Sequence, residues 1–118
     1  MNKTEEYFEK SKTDLEKMKA EIPDMVQGFG GLFSKIMKEG TLTAKEKEFI
    51  ALGIAVAKHS VHCIRSHVKK CLDAGAARQQ ILETASVAVM MAGGPAYTHI
   101  PLVFDILDDL QKVSSDKT

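Results

Sequence analysis

What this sequence lacks narrows its reading first. Sixteen basic residues balance sixteen acidic ones over 118 positions, leaving no formal net charge. No basic block stands out, which argues against nucleic acid as a partner. The chain has two cysteines, and no secretory leader opens it. Together these lead us to expect a reducing, cytoplasmic setting. The opening residues MNKTEEYFEK are too charged for the apolar core of a signal. One uncharged run, Thr84 to Phe104, is long enough to span a bilayer. It is interrupted by Gly93-Gly94-Pro95, by His99 and by Pro101. We therefore read it as a buried helix, a turn and the start of another helix, and expect no membrane insertion. Repeats, low-complexity segments and strand-like alternation are all missing.

What is there is helical periodicity almost throughout. The length fits one domain over residues 1–118, with a small core and a large relative surface. The expected fold is all-α with about six helices. The first spans about Thr4–Ala20, with Tyr7, Phe8, Ser11, Leu15 and Met18 on one face. The second starts near Pro23, a good first-turn residue, and ends at Glu39-Gly40. Thr43-Ala44-Lys45-Glu46 is a capping box that opens a third helix, Ala44 to about Ala57. A fourth covers about Val61–Ala74 and stops at Gly75. A fifth, about Arg78–Ala92, is apolar nearly all round, so it needs cover on several sides and points to burial between subunits. The last spans about Ala96–Gln111, and the tail 113–118 is expected to fray.

The stretch KHSVHCIRSH, Lys58 to His67, concentrates three of the four histidines and one of the two cysteines. Ser60 is a favoured N-cap, which places Cys63 at the third helical position. Free backbone N–H groups and the positive end of the helix dipole favour a thiolate there. His67 follows four residues later, one turn along the same face, where it can take up the thiol proton. The residues alone leave a second reading open: Cys63 as a small buried hydrophobe and His67 as a hydrogen-bonded core residue. Cys71 lies about 12 Å further along a straight helix, beyond the ~7 Å reach of a disulfide. We read Cys71 as a packing residue facing the core.

A zinc-type site would combine Cys63 and His67 with His59 or His62. His59 and His62 flank the start of the helix and point away from the Cys63–His67 face. With His99 alone and no second ligand pair, we expect no metal. Glu48 can be placed relative to His67 by helix geometry. In an antiparallel hairpin turning near His59, Glu48 lies about 15 Å below the turn and His67 about 10 Å, so the two are nearly level. By spacing alone, Glu46 and Glu48 read more simply as acids that open a helix.

The run from Gly40 to Pro95, including LTAKEKEFIALGIAVAKHSVHCIRSHVKKCLDAGA and QQILETASVAVMMAGGPAY, resembles the carboxymuconolactone decarboxylase-like family. Within that family it looks like the alkylhydroperoxidase AhpD-like branch. The branch pattern is a Glu, then roughly twelve residues on Cys-x-x-Cys-x-x-x-His, then a short spacer to Gly-Ala. Glu48, Ser60, Cys63, His67 and Gly75-Ala76 fall on those positions, and His62 occupies the position just before the second cysteine. The resemblance implies an all-helical fold, assembly as a homotrimer or homohexamer, no cofactor, and hydroperoxide reduction or electron transfer to a peroxiredoxin. It also implies that Glu48 and His67 relay protons to Cys63, with His62 helping. Ser60 departs from the pattern, since it stands where the first redox cysteine belongs. A serine caps a helix but forms no disulfide. What carries over is one thiol, a proton relay and dependence on an external thiol reductant.

Three functions follow as expectations. The first is a thiol-dependent, peroxiredoxin-like antioxidant activity with Cys63 as nucleophile. The second is acid–base decarboxylation of a small lactone acid by His62, His67 and Glu48. The third is non-enzymatic binding by an oligomer whose site has decayed at Ser60.

Overall fold

The computed structural model describes residues 1–112, and the expected fraying of 113–118 lies outside them. Six long helices and a single-turn helix make up the described chain, and no strand occurs among those residues. They are α1 (Lys3–Glu21), α2 (Pro23–Met37), α3 (Ala44–Ala57), α4 (Val61–Asp73), α5 (Arg78–Ala92), α6 (Gly94–Tyr97) and α7 (Ile100–Gln111). The all-α expectation holds.

The centre of the molecule is α3, packed against α4 on one side and α5 on the other, with α7 closing over α4. Local chemistry sets these boundaries. The Thr43 hydroxyl accepts from the Glu46 amide at 3.0 Å, and the Glu46 carboxylate accepts from the Thr43 amide at 2.7 Å. That capping box starts α3. At its far end the Ser60 amide donates to Ala55 and the His59 amide to Val56, at 3.0 and 3.1 Å. This closure needs a left-handed residue, and His59 supplies it at φ 56°. A non-glycine residue there costs about 1 kcal/mol, so the surroundings must hold it. The same closure ends α4, where Gly75 takes the left-handed position at φ 92° without that cost.

Leu52 and Val56 from α3, Ile64, Val68 and Cys71 from α4, Ile81 and Ala85 from α5, and Val103, Ile106 and Leu107 from α7 form the dry core. Each large aliphatic side chain among them removes ~1.5–3 kcal/mol worth of apolar surface from water. The last helix starts later than its periodicity suggests. Pro101 has no N–H and would clash with the carbonyl one turn before it in a continuous helix. The chain therefore makes the short α6, turns through Thr98 and His99, and restarts at Ile100 with Pro101 in the first turn.

The beginning of α1 is fastened to the end of α7. The Thr4 hydroxyl donates to the Asp109 carboxylate at 2.6 Å, and the Asn2 side-chain amide donates to the Asp109 carbonyl at 2.9 Å. Thr4 is buried by this clasp. By contrast α2 buries none of its residues fully. Met25, Phe29, Leu32 and Ile36 stay exposed, and Phe33 turns inward. The fifth helix, α5, leaves Met90 and Met91 82% and 81% exposed, as its all-round apolar character suggested. Beside them an apolar groove of about 420 Å³ runs between α3 and α5, lined by Ile50, Ile54, Val87 and Met91 among others. Among the described residues no helix is long and apolar enough to cross a membrane.

Candidate functional site

The site grows from the tight α3–α4 turn. Ser60 caps α4, its hydroxyl accepting from the Cys63 amide at 3.4 Å. Cys63 is therefore the third residue of the helix and is exposed, with a free thiol. Of the two readings left open by the sequence, a buried Cys63 is thus removed. Cys71, by contrast, is fully buried. Burial, reinforced by the neighbouring Glu48 charge, pushes its thiol up to about 12.

The antiparallel hairpin does bring Glu48 and His67 level. His67 Nδ1 lies 2.7 Å from Glu48 Oε1, and both side chains are nearly buried. This corrects the simpler reading of Glu48 as an acid that merely opens a helix. Its residue exposure is only 8%, on the inner face of α3 where a carboxylate must be paired. An ionised carboxylate only accepts, so His67 carries its proton on Nδ1 and its Nε2 is the free, basic nitrogen. Phe33 of α2 lies over the same imidazole, ring centroids 6.3 Å apart and 23° from parallel. The Lys70 ammonium sits over the Phe33 ring, 4.1 Å from its centroid, in a cation–π contact.

His62 looks elsewhere. Its Nδ1 is hydrogen-bonded to the Tyr7 hydroxyl of α1. The Arg65 guanidinium rests over the Tyr7 ring at 4.7 Å, and Phe8 meets that ring edge-on. Burial pushes the Tyr7 phenol above its ordinary value, with charge at Cys63 and Asp14 adding to the effect and Ser11 and Arg65 opposing it.

His59 points to a third place. It stacks on His99, centroids 5.3 Å apart, while His99 Nδ1 donates to the Pro95 carbonyl at 2.8 Å. His99 is therefore not alone, contrary to its isolation in the sequence, because the turn after α6 folds back beside the α3–α4 turn. The four histidines thus answer to different neighbours: His67 to Glu48, His62 to Tyr7, and His59 and His99 to each other. Among the described residues no three His, Cys, Asp or Glu side chains converge as metal ligands. Spacing gave no sign of Tyr7, Arg65 or Phe33 at this site. Tyr7 and Phe33 were readable only as apolar-face residues of α1 and α2, and their roles depend on how those helices dock.

An exposed thiol at a capped helix start, one turn from an imidazole backed by a buried carboxylate, defines a helical protein with an acid–base and thiol site. The chain belongs to the carboxymuconolactone decarboxylase family, whose family model matches residues 23–104. It is 33% identical over 82 residues to protein 4 of the cox locus of Paracoccus denitrificans, covering 70% of this chain and 74% of that one. A carboxymuconolactone decarboxylase family protein from Legionella pneumophila has the same fold, with a TM-score of 0.86 and 32% identity, covering 92% of this chain and 97% of that one. A Thermotoga maritima family member, for which a part in antioxidative response has been raised, superposes with a TM-score of 0.80 at 24% identity. That match covers 90% of this chain and 91% of the other, and it is a likeness of fold.

Proposed function

We propose that the protein is a thiol-dependent peroxide reductase of the alkylhydroperoxidase-like branch, working with Cys63 alone. The observation that carries this is the Glu48–His67 pair standing one turn from the exposed Cys63. Glu48 holds Nδ1 of His67, so Nε2 takes the thiol proton. The thiolate attacks the peroxide, an S–O bond forms and the O–O bond breaks. The departing alkoxide takes the proton back from His67. The products are a Cys63 sulfenic acid and an alcohol, or water when the substrate is hydrogen peroxide. Two equivalents of an external thiol then return Cys63 to the thiol, releasing a disulfide and water.

The test is peroxide consumption with added thiol, read beside a pH profile of Cys63 alkylation by mass spectrometry. We expect turnover that Cys63→Ser abolishes, and Cys63 alkylation that peroxide pretreatment blocks. A wild type that consumes no peroxide, with Cys63 and Cys71 alkylating equally slowly, would remove the reading.

A second reading is kept because the Glu48–His67 pair needs no sulfur to act as acid and base. It is decarboxylation of a lactone acid, and turnover of such a substrate by Cys63→Ser would favour it. We extend the proposal to assembly with further copies of this chain, as a trimer or hexamer. The uncharged α3–α5 groove and the exposed Met90 and Met91 supply the apolar face. Met91→Glu is expected to shift the sedimentation coefficient to that of a smaller species.

A further inference from the structure

We propose that α2 is the cover of the Glu48–His67 pair, that Phe33 is the positioning residue for the His67 imidazole, and that Lys47 fixes the cover in place. The kinetic consequence rests on the function proposed above, whereas the placement of the ring stands on its own contacts.

A single hydrogen bond does not hold a ring. The Glu48 carboxylate, 2.7 Å away, fixes one point of His67, its Nδ1. The imidazole can still turn, because the terminal torsion of a histidine is broad. The direction of Nε2 turns with it. Phe33 supplies the second restraint. Its ring lies over the imidazole at 6.3 Å between centroids, 23° from parallel. A flat group placed there limits the tilt of the imidazole and shields that side of the pair from water. The two side chains keep only 12% and 11% of their surface exposed. With water kept away, the attraction between carboxylate and ring N–H is stronger.

Phe33 arrives on an element that the core does not retain. No α2 residue belongs to the buried core cluster, and none is buried. What ties α2 down lies at its end. The Lys47 ammonium donates to the carbonyls of Ile36 and Lys38, 2.7 Å from each. Carbonyls at a helix C-terminus have no partner within the helix and carry the negative end of its dipole, so a cation suits them. The Glu39 carboxylate accepts from the Ala44 amide at 2.9 Å and ties the connecting loop to the start of α3. From α4, Lys70 reaches the Phe33 ring itself, 4.1 Å from its centroid. Lys70 lies three residues after His67, on the same face of α4. Lys47 and Glu48, neighbours on α3, thus divide the work. One holds the cover and the other holds the imidazole that it covers.

The experiment is NMR of the full, isotopically labelled chain. In the wild type we expect a nuclear Overhauser cross-peak between the Phe33 and His67 rings, and a His67 Nδ1 proton that exchanges slowly with water. Phe33→Ala should speed that exchange by ~10-fold or more. Phe33→Leu keeps an apolar cover and should restore most of the protection. Lys47→Met should weaken the cross-peak and speed the exchange without altering either ring. Lys47→Arg keeps the charge and the donors, and should restore both. Since α2 adds nothing to the core cluster, these variants should keep their helical circular dichroism. Exchange in Phe33→Ala equal to that of the wild type would overturn the positioning role. A cross-peak indifferent to Lys47→Met would overturn the part given to Lys47.

A kinetic arm follows Cys63 oxidation by hydrogen peroxide. Phe33→Ala should slow it about tenfold, within the ~100-fold that a misplacement of ~1 Å can cost. In the Glu48→Gln background His67 has already lost its anchor, so adding Phe33→Ala should change the rate less than about twofold. A further tenfold loss there would show that Phe33 acts by another route than His67, and would overturn the proposal. If the wild type shows no peroxide chemistry, the proposed function fails, and the NMR outcome still decides the cover and the residues that hold it.

Discussion

Cys63 and Cys71 sit on one helix, just over two turns apart, and share almost nothing else. Cys63 stands at the capped, solvent-facing start of α4, its own amide held by the Ser60 hydroxyl. Cys71 is sealed beneath α3, next to the same Glu48 that grips His67. One carboxylate thereby serves opposite ends. It orients the base beside the open thiol and opposes ionisation of the closed one. Residue type says little about a cysteine. Its place along the helix and the charge facing it decide whether it is a reagent or a packing group.

The contrast can be broken most visibly by alkylation. At pH 8 a thiol raised to about 12 is ionised in only about one molecule in ten thousand, against roughly a quarter for an ordinary exposed thiol. We expect iodoacetamide to label Cys63 at least ~100-fold faster than Cys71 in the folded protein, with equal labelling in denaturant. Comparable rates in the native state would erase the distinction.

The shared carboxylate is the next lever. Glu48→Gln keeps the shape but lets His67 change tautomer, and should slow Cys63 oxidation by roughly a hundredfold. The same variant should lower the Cys71 thiol below its wild-type position, since the Glu48 charge helps raise it. A rate within twofold of wild type would cut Glu48 out of the chemistry.

A third effect concerns stability at high pH. Burial raises Cys71 from 9.0 to about 12 in the folded state, so the unfolded chain releases that proton first. The stability linked to it is fully present below about pH 9 and is lost as pH rises toward 12. Cys71→Ala should flatten that decline in urea-unfolding curves relative to wild type. Parallel curves for the two proteins would show that Cys71 does not couple to folding.

The smallest change is at the cap. Ser60→Ala should cost about 1 kcal/mol of stability. It should also loosen the first turn of α4 and reduce the advantage of Cys63 over Cys71 in alkylation. An unchanged melting temperature would mean that the 3.4 Å contact between the Ser60 hydroxyl and the Cys63 amide carries no weight.

Much of this architecture could be read from local chemistry. Thr43 with Glu46, Ser60, and Gly75 are self-contained signals: α3 begins at the first, and α4 begins and ends at the other two. The break between α6 and α7 was harder to read, because apolar periodicity runs through Pro101 as if the helix continued. At the site, Cys63, Ser60 and His67 were legible because they lie on one helix. Glu48 was legible only as level with His67, since spacing along two helices fixes height but not which way a side chain faces. Tyr7 and His99 were not legible at all. Their partners are 55 and 40 residues away in sequence, and helix docking alone decides who meets whom. The exposed apolar side of α2 had no sequence signal either, because its pattern is that of any helix seated on a core.

The Asp109 clasp has a practical side. It ties the opening residues of the described chain to its final helix, and Tyr7 follows Thr4 by a single turn. An affinity tag fused ahead of Met1 would hang directly from that fastening. Its load would fall on the Asn2 and Thr4 bonds to Asp109, which join the first helix to the last.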